Sequence, residues 1–493
     1  MVLVVHRHGS RTQLDKDHLL RSEGGATLTP RGEEQLVQVG RDFQKRYLTP
    51  TCDLGLCLQG LLSDGQYHHS EVHAASSGYD RTLSSAQCFL QGLFNRSLQA
   101  QEHWSPIPVY SSATADDHVL RAYDKCPRIQ ERLAAFYSSS AFEAKETESL
   151  ALRTLIAGRL RENVTELRSF WGVYDRIVSA EENENAATGD SDMIVNWTTA
   201  ELDAVENLAG WLEGSKFGND ISDHLCGGSL LGEIRDRIQT GVTAGAPRLA
   251  LYSAHYPTLL CLLSALGVTS AAASPVAGIV PAYGASLAFE VHRDEHHKRW
   301  VRLVFRNGPT AEPQMVPMPC ALSARPEDAA SAWCSAGEFA WQTADQVFNN
   351  THDWCRACAN TEMTACSCLH LSRPGGEVVE THVKTEALGE VDDSTNDTNG
   401  DDGDSNRDSM LSALVGAIVG AVMGAAGLFA GQILWKGRRA PVAARASTID
   451  NAPQLTPGEN CTVSLAMCDE LKAMSYEKET VAAGHLTVED GIS

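Results

Sequence analysis

The amino-acid sequence predicts an α/β fold, because apolar runs typical of buried strands alternate along the chain with helical patterns. Residues 2–5 form an apolar, β-branched run that ends at a polar loop. Residues 249–254 form a second apolar run, and Pro257 shortly after it favours the first turn of a helix. Between these two runs, apolar residues recur at helical spacing after Thr29. The hydrophobic fraction of 43% is ample for a core.

The loop after the first strand holds two arginines around a histidine and a glycine. Arg7 and Arg11 offer forked donors that suit phosphate oxygens. Gly9 lets the backbone come close to such a group. His8 is the only side chain of this loop able to attack phosphorus. Because open α/β sheets bind ligands at the carboxyl ends of their strands, the sequence predicts a phosphate site at this loop.

The next segment predicts a helix. Thr29 suits the N-cap position and Pro30 the first helical position, and two glutamates follow in the first turn. The apolar residues that then recur at helical spacing are Leu36, Val39, Phe43 and Tyr47.

Two later segments add candidate phosphate ligands. Residues 71–76 predict a second strand, and Arg81 follows in the first turn of a helix, where free backbone amides also favour an anion. An ordinary exposed helix arginine is the alternative. His255 ends the strand at residues 249–254, so we expect it to face the same crevice as His8. Beyond it, residues 286–291 and 300–305 predict a hairpin.

Three of these segments resemble signatures of the histidine acid phosphatases. Residues 7–11 match the family's RHGxR motif, residues 80–86 are similar to its DRT…SA helix, and residues 252–255 read Tyr-Ser-Ala-His as the family does. Gln13 stands where the family has proline, a small departure in the loop. The chain is therefore identified as a member of this family over residues 1–335.

The resemblance implies a three-layer core with a mostly parallel central sheet and an inserted α-helical cap at about residues 100–245. It implies that His8 is the nucleophile and forms a phosphohistidine that water hydrolyses. The set of residues implied to surround the phosphoryl group is Arg7, Arg11, Arg81 and His255. The arginines should disfavour protonation of His8, which keeps it neutral at mildly acidic pH. No metal site and no organic cofactor is expected.

Tyr256 is the departure that bears on the chemistry. The family has an aspartate at this position, and that aspartate gives a proton to the leaving group. Two donors remain open here: the Tyr256 hydroxyl, which stays protonated well above neutral pH, and a carboxylic acid from the cap. Proton donation contributes roughly 10²–10⁴-fold, so its loss would slow poor leaving groups most and aryl phosphates least.

Residues 410–434 predict a single transmembrane helix. The segment is almost wholly apolar and, at roughly 25 residues, exceeds the ~20 needed to cross a bilayer. Basic residues follow it and aspartates precede it, so the positive-inside rule predicts a type I protein. We expect the preceding chain to be lumenal or extracellular, at the endosomal or lysosomal membrane or the cell surface. Residues 435–493 would form a cytosolic tail.

Other features agree with this topology. A lumenal domain needs a signal peptide, and Met1 falls inside the first strand, so we expect the sequence to begin late. Glycosylation sequons support a lumenal glycoprotein and begin at Asn95, Asn163, Asn196, Asn349 and Asn396. Gly416, Gly420 and Gly424 lie four apart in the membrane segment, which leaves a homodimer open. The net charge of −23 argues against a nucleic-acid partner.

The cysteines predict disulfides on the lumenal side. Of the 14 cysteines, 12 precede residue 410, where an oxidising compartment favours disulfides. A dense group falls in residues 336–370, which we interpret as a cysteine-rich juxtamembrane segment; zinc binding is the alternative for Cys355, Cys358, Cys366 and Cys368. Residues 371–409 are polar and acidic, and are expected to form a disordered linker.

Three functions are consistent with the sequence, the third being a glycoprotein in which the membrane anchor and the tail carry the role and the fold is an inherited scaffold. The first is a membrane-bound acid phosphatase that hydrolyses phosphomonoesters outside the cytosol through a phosphohistidine. The second is a catalytically weak relative that binds phosphorylated ligands or partners through the same pocket. The intact arginines and histidines favour the first function, and Tyr256 is the residue that keeps the second open.

Overall fold

The computed structural model describes residues 1–12, 26–48, 61–62, 64–94, 107–182, 197–218, 220–241, 247–269, 274–322 and 332–367. The predicted acidic linker, transmembrane segment and cytosolic tail lie outside these residues. Within the described part of the chain, no helix has the length and apolar character required to cross a bilayer.

A seven-stranded sheet forms the centre of the fold, with spatial order β2-β3-β1-β4-β5-β6 and β7 paired with β5. Its strands are β1 Val2–Arg7, β2 Val72–Ser76, β3 Leu249–Ala254, β4 Ser286–Arg293, β5 Arg299–Arg306, β6 Gln314–Val316 and β7 Cys334–Ser335. The predicted strands before His8 and before His255 and the predicted hairpin are all confirmed.

The sheet is mixed, and the expectation of a mostly parallel sheet was wrong. Strands β1, β2 and β3 are parallel, whereas β4 to β7 all pair antiparallel to their neighbours. The reason is that the hairpin β4–β5 joins the same sheet directly beside β1 instead of packing elsewhere. The short connections from β4 to β5 and from β5 to β6 permit only antiparallel pairing, so this edge of the sheet alternates in direction.

The helices flank the sheet and extend into a separate cluster. They are α1 Pro30–Tyr47, α2 Asp80–Leu93, α3 Ala122–Lys125, α4 Pro127–Tyr137, α5 Ser140–Glu148, α6 Leu150–Leu160, α7 Phe170–Glu182, α8 Thr199–Phe217, α9 Gly228–Thr240, α10 Tyr256–Ala265, α11 Pro319–Leu322, α12 Ala336–Gln342, α13 Thr351–Cys358 and α14 Thr364–Ser367. Helix α1 begins as predicted, with the Thr29 hydroxyl accepting from the Gly32 amide at 3.1 Å and Pro30 in the first turn.

Strand β1 is buried on both faces, which confirms the three-layer core. Leu3 and Val5 pack in one hydrophobic cluster with residues of α9 and α10. Val2 and Val4 point the other way into a second cluster with α1 and α2. Alternate side chains of a strand face opposite sides of a sheet, so an apolar run is what a strand between two helical layers requires.

Helices α5, α7 and α8, which lie between α2 and β3 in sequence, share a hydrophobic core of their own. That core includes Phe142 of α5, Phe170 of α7 and Leu212 of α8. Tyr256, which belongs to α10 beside the sheet, packs against the same cluster. The helical cap predicted in this part of the chain therefore has its own apolar interior, and it contacts the sheet domain at the carboxyl end of β3.

The cysteines described in the structure form disulfides, as predicted, apart from Cys88. The four pairs are Cys126–Cys358, Cys226–Cys261, Cys320–Cys334 and Cys355–Cys366. Residues 336–367 are packed into the body: Trp354 is fully buried and its indole N–H donates to Leu225 O at 2.9 Å. This part of the cysteine-rich segment thus belongs to the same compact unit as the sheet.

Candidate active site

The two histidines from distant motifs meet at the carboxyl ends of neighbouring strands. Strands β1 and β3 pair in parallel with Arg7 opposite Ala254, so the next residues, His8 and His255, leave the sheet side by side. The His8 amide donates to Ala254 O at 3.0 Å. The two imidazole rings lie edge to face with 5.4 Å between their centroids. The expectation that His255 faces the crevice of His8 is confirmed.

The His8 imidazole is held with one nitrogen engaged and the other available. Its Nδ1 lies 2.8 Å from Gly9 O. A carbonyl only accepts hydrogen bonds, so Nδ1 carries the proton and Nε2 keeps its lone pair. Burial lowers the pKa of His8 well below its ordinary value, and Arg81, His255, Arg7 and Arg11 add repulsion. Burial is thus the largest cause of the shift, ahead of the arginines that the sequence indicated.

The loop after β1 is fixed by the amino-terminal half of α1 and by α2. A Cβ on Gly9 would lie 2.3 Å from Gly32 O, so this glycine is required by the close approach of α1. The Gly9 amide donates to Ser85 Oγ at 3.1 Å, and the Ser10 amide donates to Gln35 Oε1 at 2.8 Å. The sequence predicted that Gly9 lets a ligand approach the backbone. In the structure, Gly9 lets helix α1 approach it.

Arg7 is positioned by a backbone carbonyl and an aromatic ring. Its Nη1 donates to Pro281 O at 2.6 Å. Its guanidinium carbon lies 3.9 Å from the centroid of the Tyr283 ring and 5.3 Å from that of Tyr256. Cation–π contacts of this kind hold a guanidinium in place without neutralising it. These contacts therefore orient the Arg7 guanidinium, and neither the carbonyl nor the rings are anionic partners.

Arg11 forms a buried ion pair with the cap. Its Nη2 lies 2.7 Å from Asp175 Oδ1, and the side chains of Arg11 and Asp175 are 2% and 5% exposed. Asp175 belongs to α7, so the pair joins the loop after β1 to the helical cap. The sequence predicted Arg11 as a phosphate ligand and gave no signal for Asp175, which lies in an otherwise amphipathic helix.

Arg81 is the arginine with the most unused hydrogen-bonding capacity in the site. It lies in the first turn of α2, as predicted, and is 7% exposed. Its Nε and Nη1 atoms are buried and have no hydrogen-bond partner among the described residues. Burial, with repulsion from Arg11, lowers the pKa of Arg81 to about 10. Burying a cation whose N–H donors lack acceptors costs free energy unless an anion binds to them.

His255 is oriented by the turn that follows β2. Its Nε2 lies 2.9 Å from Ser77 Oγ, and its ring lies edge-on to Tyr79 with 5.6 Å between centroids. Burial lowers the pKa of His255 well below its ordinary value, with Arg81 and Arg121 as the next causes. Neither Ser77 nor Arg121 was predicted, although a serine directly after a predicted strand offered a signal for the first.

Tyr256 connects the sheet domain to the cap. Its hydroxyl donates to Glu213 Oε2 at 2.7 Å, and its ring stacks on Trp171 with 6.0 Å between centroids. Burial and the Glu213 carboxylate raise the pKa of Tyr256 well above its ordinary value. The sequence left open a tyrosine or a cap carboxylate as proton donor; the structure joins one of each by a hydrogen bond.

These side chains form a buried cluster of three arginines and two histidines. Such a cluster can bind a tetrahedral oxyanion and present a nitrogen lone pair to its central atom. A family comparison identifies the chain: the family described as histidine phosphatase superfamily, branch 2, matches residues 13–306. The chain belongs to the histidine phosphatase superfamily. The resemblance seen in the sequence motifs is thereby confirmed.

Curated relatives of this histidine phosphatase are acid phosphatases. Human testicular acid phosphatase is 30% identical over 369 residues, which cover 70% of this chain and 78% of the relative. Bovine lysosomal acid phosphatase is 26% identical over 337 residues, covering 65% and 73%. Putative acid phosphatase 5 of Caenorhabditis elegans is 26% identical over 316 residues, covering 62% and 69%.

Solved structures share the fold at low sequence identity. The apo form of Hafnia alvei phytase superimposes with a TM-score of 0.54 at 14% identity, covering 72% of this chain and 97% of the phytase. The phytase of Klebsiella sp. ASR1 gives 0.54 at 16% identity, with 70% and 95% covered. These similarities support the mixed-sheet phosphatase fold.

Proposed function

We propose that this chain is an acid phosphatase that hydrolyses phosphomonoesters through a phosphohistidine on His8. The observation that carries the proposal is Arg81, whose buried Nε and Nη1 lack partners among the described residues. A phosphoryl group bound between Arg81 and His8 would satisfy these donors and neutralise the charge of the pocket. The acid phosphatase relatives support the same activity.

In the first step, Arg7, Arg11, Arg81 and His255 bind the phosphoryl oxygens. His8 Nε2 then attacks phosphorus in line with the ester oxygen, which leaves with the electron pair of the P–O bond. His8 Nδ1 keeps its proton throughout and donates it as a hydrogen bond to Gly9 O, so the ring holds its orientation. The cationic side chains stabilise the charge that spreads over the phosphoryl oxygens in the transition state.

In the second step, water attacks the phosphohistidine and releases inorganic phosphate. The N–P bond breaks and His8 Nε2 recovers its lone pair. The proton lost by the water returns to the group that protonated the leaving oxygen, and we assign that group to Tyr256. A catalytically weak phosphate-binding protein is the alternative, and the replacement of the family's aspartate by Tyr256 is the observation that favours it.

We further propose that the domain works outside the cytosol, at a lysosomal or endosomal membrane or at the cell surface. Four disulfides favour an oxidising compartment. Residues 410–434 would anchor the domain as a single-pass, type I glycoprotein, and the glycine spacing there would permit a homodimer. Hydrolysis of a membrane-impermeant phosphate ester by intact cells would test whether the domain of a cell-surface chain faces outward.

The test of the activity uses the full-length chain. We expect release of inorganic phosphate from an aryl phosphate at acidic pH, and loss of this release in His8→Ala. Rapid alkaline quenching with a phosphorus-labelled substrate should place the label on His8, because N–P bonds survive base. His296→Ala, an 83% exposed histidine in the β4–β5 turn, is the matched control and should keep full activity. Label on His8 with turnover supports the proposal; undiminished turnover in His8→Ala removes it.

A further inference from the structure

The ring of Tyr79 contacts three neighbouring side chains at once. The guanidinium carbon of Arg81 lies 4.6 Å from the ring centroid, and that of Arg121 lies 4.4 Å from it. The imidazole of His255 meets the same ring at 87°, with 5.6 Å between centroids. Arg81 and His255 come from separate motifs and are both candidate phosphate ligands. A single aromatic ring therefore touches two members of the site.

The backbone of Tyr79 is fixed at the start of α2. Its amide donates to Ser77 O at 2.8 Å. Its carbonyl accepts from the amides of Thr82 and Leu83, each at 2.9 Å, and from the Thr82 hydroxyl at 2.8 Å. Tyr79 is the N-cap residue of this helix, with extended φ and ψ. The turn after β2 thus determines where the ring begins.

The hydroxyl end of the ring is held by Arg121. One guanidinium nitrogen of Arg121, Nη1, donates to the Tyr79 hydroxyl, and Nη2 pairs with the Asp124 carboxylate. The Arg121 side chain is 13% exposed. Because Asp124 balances its charge, Arg121 can hold the tyrosine without taking an anion from the solvent. The Tyr79 side chain is therefore fixed at both of its ends.

Arg81 is a side chain that requires such a support. Its Nε and Nη1 have no hydrogen-bond partner among the described residues. A long side chain without such contacts samples several rotamers, and ordering it when a ligand binds costs conformational entropy. Contact with an aromatic face restricts a guanidinium without using its N–H donors. Those donors remain available for phosphoryl oxygens.

We propose that Tyr79 is a positioning residue whose ring holds Arg81 and His255 in a fixed relation to each other before the substrate binds. This inference rests on the proposed phosphatase function, in which both residues contact the phosphoryl oxygens. Tyr79 acts through them and is assigned no contact with the substrate. The same turn supplies the Ser77 hydroxyl to His255 Nε2, so it orients His255 by a hydrogen bond and by a ring.

The experiment compares two substitutions that both remove the Tyr79 hydroxyl and differ in the ring. Tyr79→Phe keeps the ring, and Tyr79→Leu removes it. On the full-length chain with 4-nitrophenyl phosphate, we expect kcat/KM to fall by about 10-fold in Tyr79→Leu, the order of one cation–π contact. The inhibition constant of inorganic phosphate should rise by a similar factor. Tyr79→Phe should stay within about 2-fold of the unaltered chain on both measures.

A double variant shows whether the ring acts through Arg81. Tyr79→Leu in an Arg81→Met background should cost only about 2-fold more, because the guanidinium that the ring holds is already absent. Tyr110→Leu is the matched control, since the Tyr110 ring also stacks on a histidine, His73, with 5.6 Å between centroids, but is 61% exposed. It should change neither kcat/KM nor inhibition by phosphate. Urea denaturation checks that each variant is folded.

Three results would overturn the positioning role. These are unchanged kinetics in Tyr79→Leu, equal losses in Tyr79→Leu and Tyr79→Phe, and losses that multiply in the double variant. If Tyr79→Leu does not fold, Tyr79→Met repeats the comparison with a longer side chain that also lacks the ring. In each case His8-dependent turnover of 4-nitrophenyl phosphate by the unaltered chain would leave the proposed function intact. Absence of that turnover would instead remove the proposed function itself.

Discussion

Ser77 Oγ lies 2.9 Å from His255 Nε2, and this hydrogen bond orients the second histidine of the site. The serine comes from the end of β2 and the histidine from the end of β3, two strands that pair in parallel with Ser76 opposite Ser253. The sheet register therefore determines that these two side chains meet. Because His255 in turn faces His8 edge-on, Ser77 fixes the geometry of a group that would contact the phosphoryl oxygens.

Removal of the Ser77 hydroxyl should impair catalysis with little effect on the fold. A single hydrogen bond contributes about 1 kcal/mol, so Ser77→Ala is expected to lower kcat/KM by roughly 5–10-fold through misorientation of His255. Steady-state kinetics on an aryl phosphate will measure this loss. Ser76→Ala is the control, because the Ser76 hydroxyl donates to Ser77 O and does not contact His255. Equal rates for Ser77→Ala and the unaltered chain would contradict the orienting role.

Replacement of Arg81 should lower the affinity for phosphate and raise the stability of the ligand-free protein. The fold lowers the pKa of Arg81 to about 10. Arg81 is protonated in both the folded and the unfolded chain at neutral pH, so the depressed pKa represents a cost to folding on the order of 3 kcal/mol. Arg81→Met, which removes that charge, should therefore raise the free energy of unfolding in phosphate-free buffer. Chemical denaturation with and without inorganic phosphate will measure both effects.

Phosphate provides the internal control for that experiment. Ligand binding stabilises the folded state by mass action, so added phosphate should stabilise the unaltered chain and not Arg81→Met. Two results would show that Arg81 does not bind an anion. Arg81→Met would be less stable than the unaltered chain without phosphate, or phosphate would stabilise both proteins equally.

The ion pair between Arg11 and Asp175 should matter far more than pairs on the surface. Removing one partner of a buried ion pair typically costs about 3–5 kcal/mol. Asp175→Ala is thus expected to destabilise the fold by that amount. Glu162→Ala breaks the exposed pair with Arg176, whose side chains are 37% and 22% exposed, and should cost no more than about 1 kcal/mol. Urea denaturation compares the two; similar losses would refute the distinction.

Acid should weaken the fold through His6, a buried histidine next to the site. His6 is fully buried and stacks on Phe89 with 5.4 Å between centroids, and burial lowers its pKa to about 4. Between pH 6.5 and about 4 the unfolded chain binds a proton here that the folded chain does not. Stability is therefore lost as pH falls through this window, by on the order of 2 kcal/mol at pH 4.5.

His6→Phe should remove that share of the acid sensitivity and keep the stack on Phe89. The change in unfolding free energy between pH 7 and pH 4.5, measured by urea denaturation, should be smaller in the variant by about 2 kcal/mol. An unchanged pH dependence would show that His6 does not resist protonation in the fold. His296→Phe, in an exposed turn, should leave the pH dependence as it is.

The sequence determined the strands of the active site and the residues that end them. Apolar runs, an N-cap threonine and a proline in the first turn are local signals, and each describes a few neighbouring residues. From them alone His8, Arg81 and His255 could be placed at strand ends or in a first helical turn. Because ligands of open α/β sheets bind at the carboxyl ends of the strands, these positions also predict that the three side chains share one crevice.

Only the tertiary structure decided which partners these residues have. Arg11 meets Asp175 across 164 positions of sequence, and Tyr256 meets Glu213 across 43. The mixed direction of the sheet also depended on where the hairpin β4–β5 docked. Such contacts follow from how the cap packs on the sheet, and a local pattern holds no information on the distance between two segments. The cluster of arginines and histidines was thus readable from the chain, whereas the partners that orient its members were not.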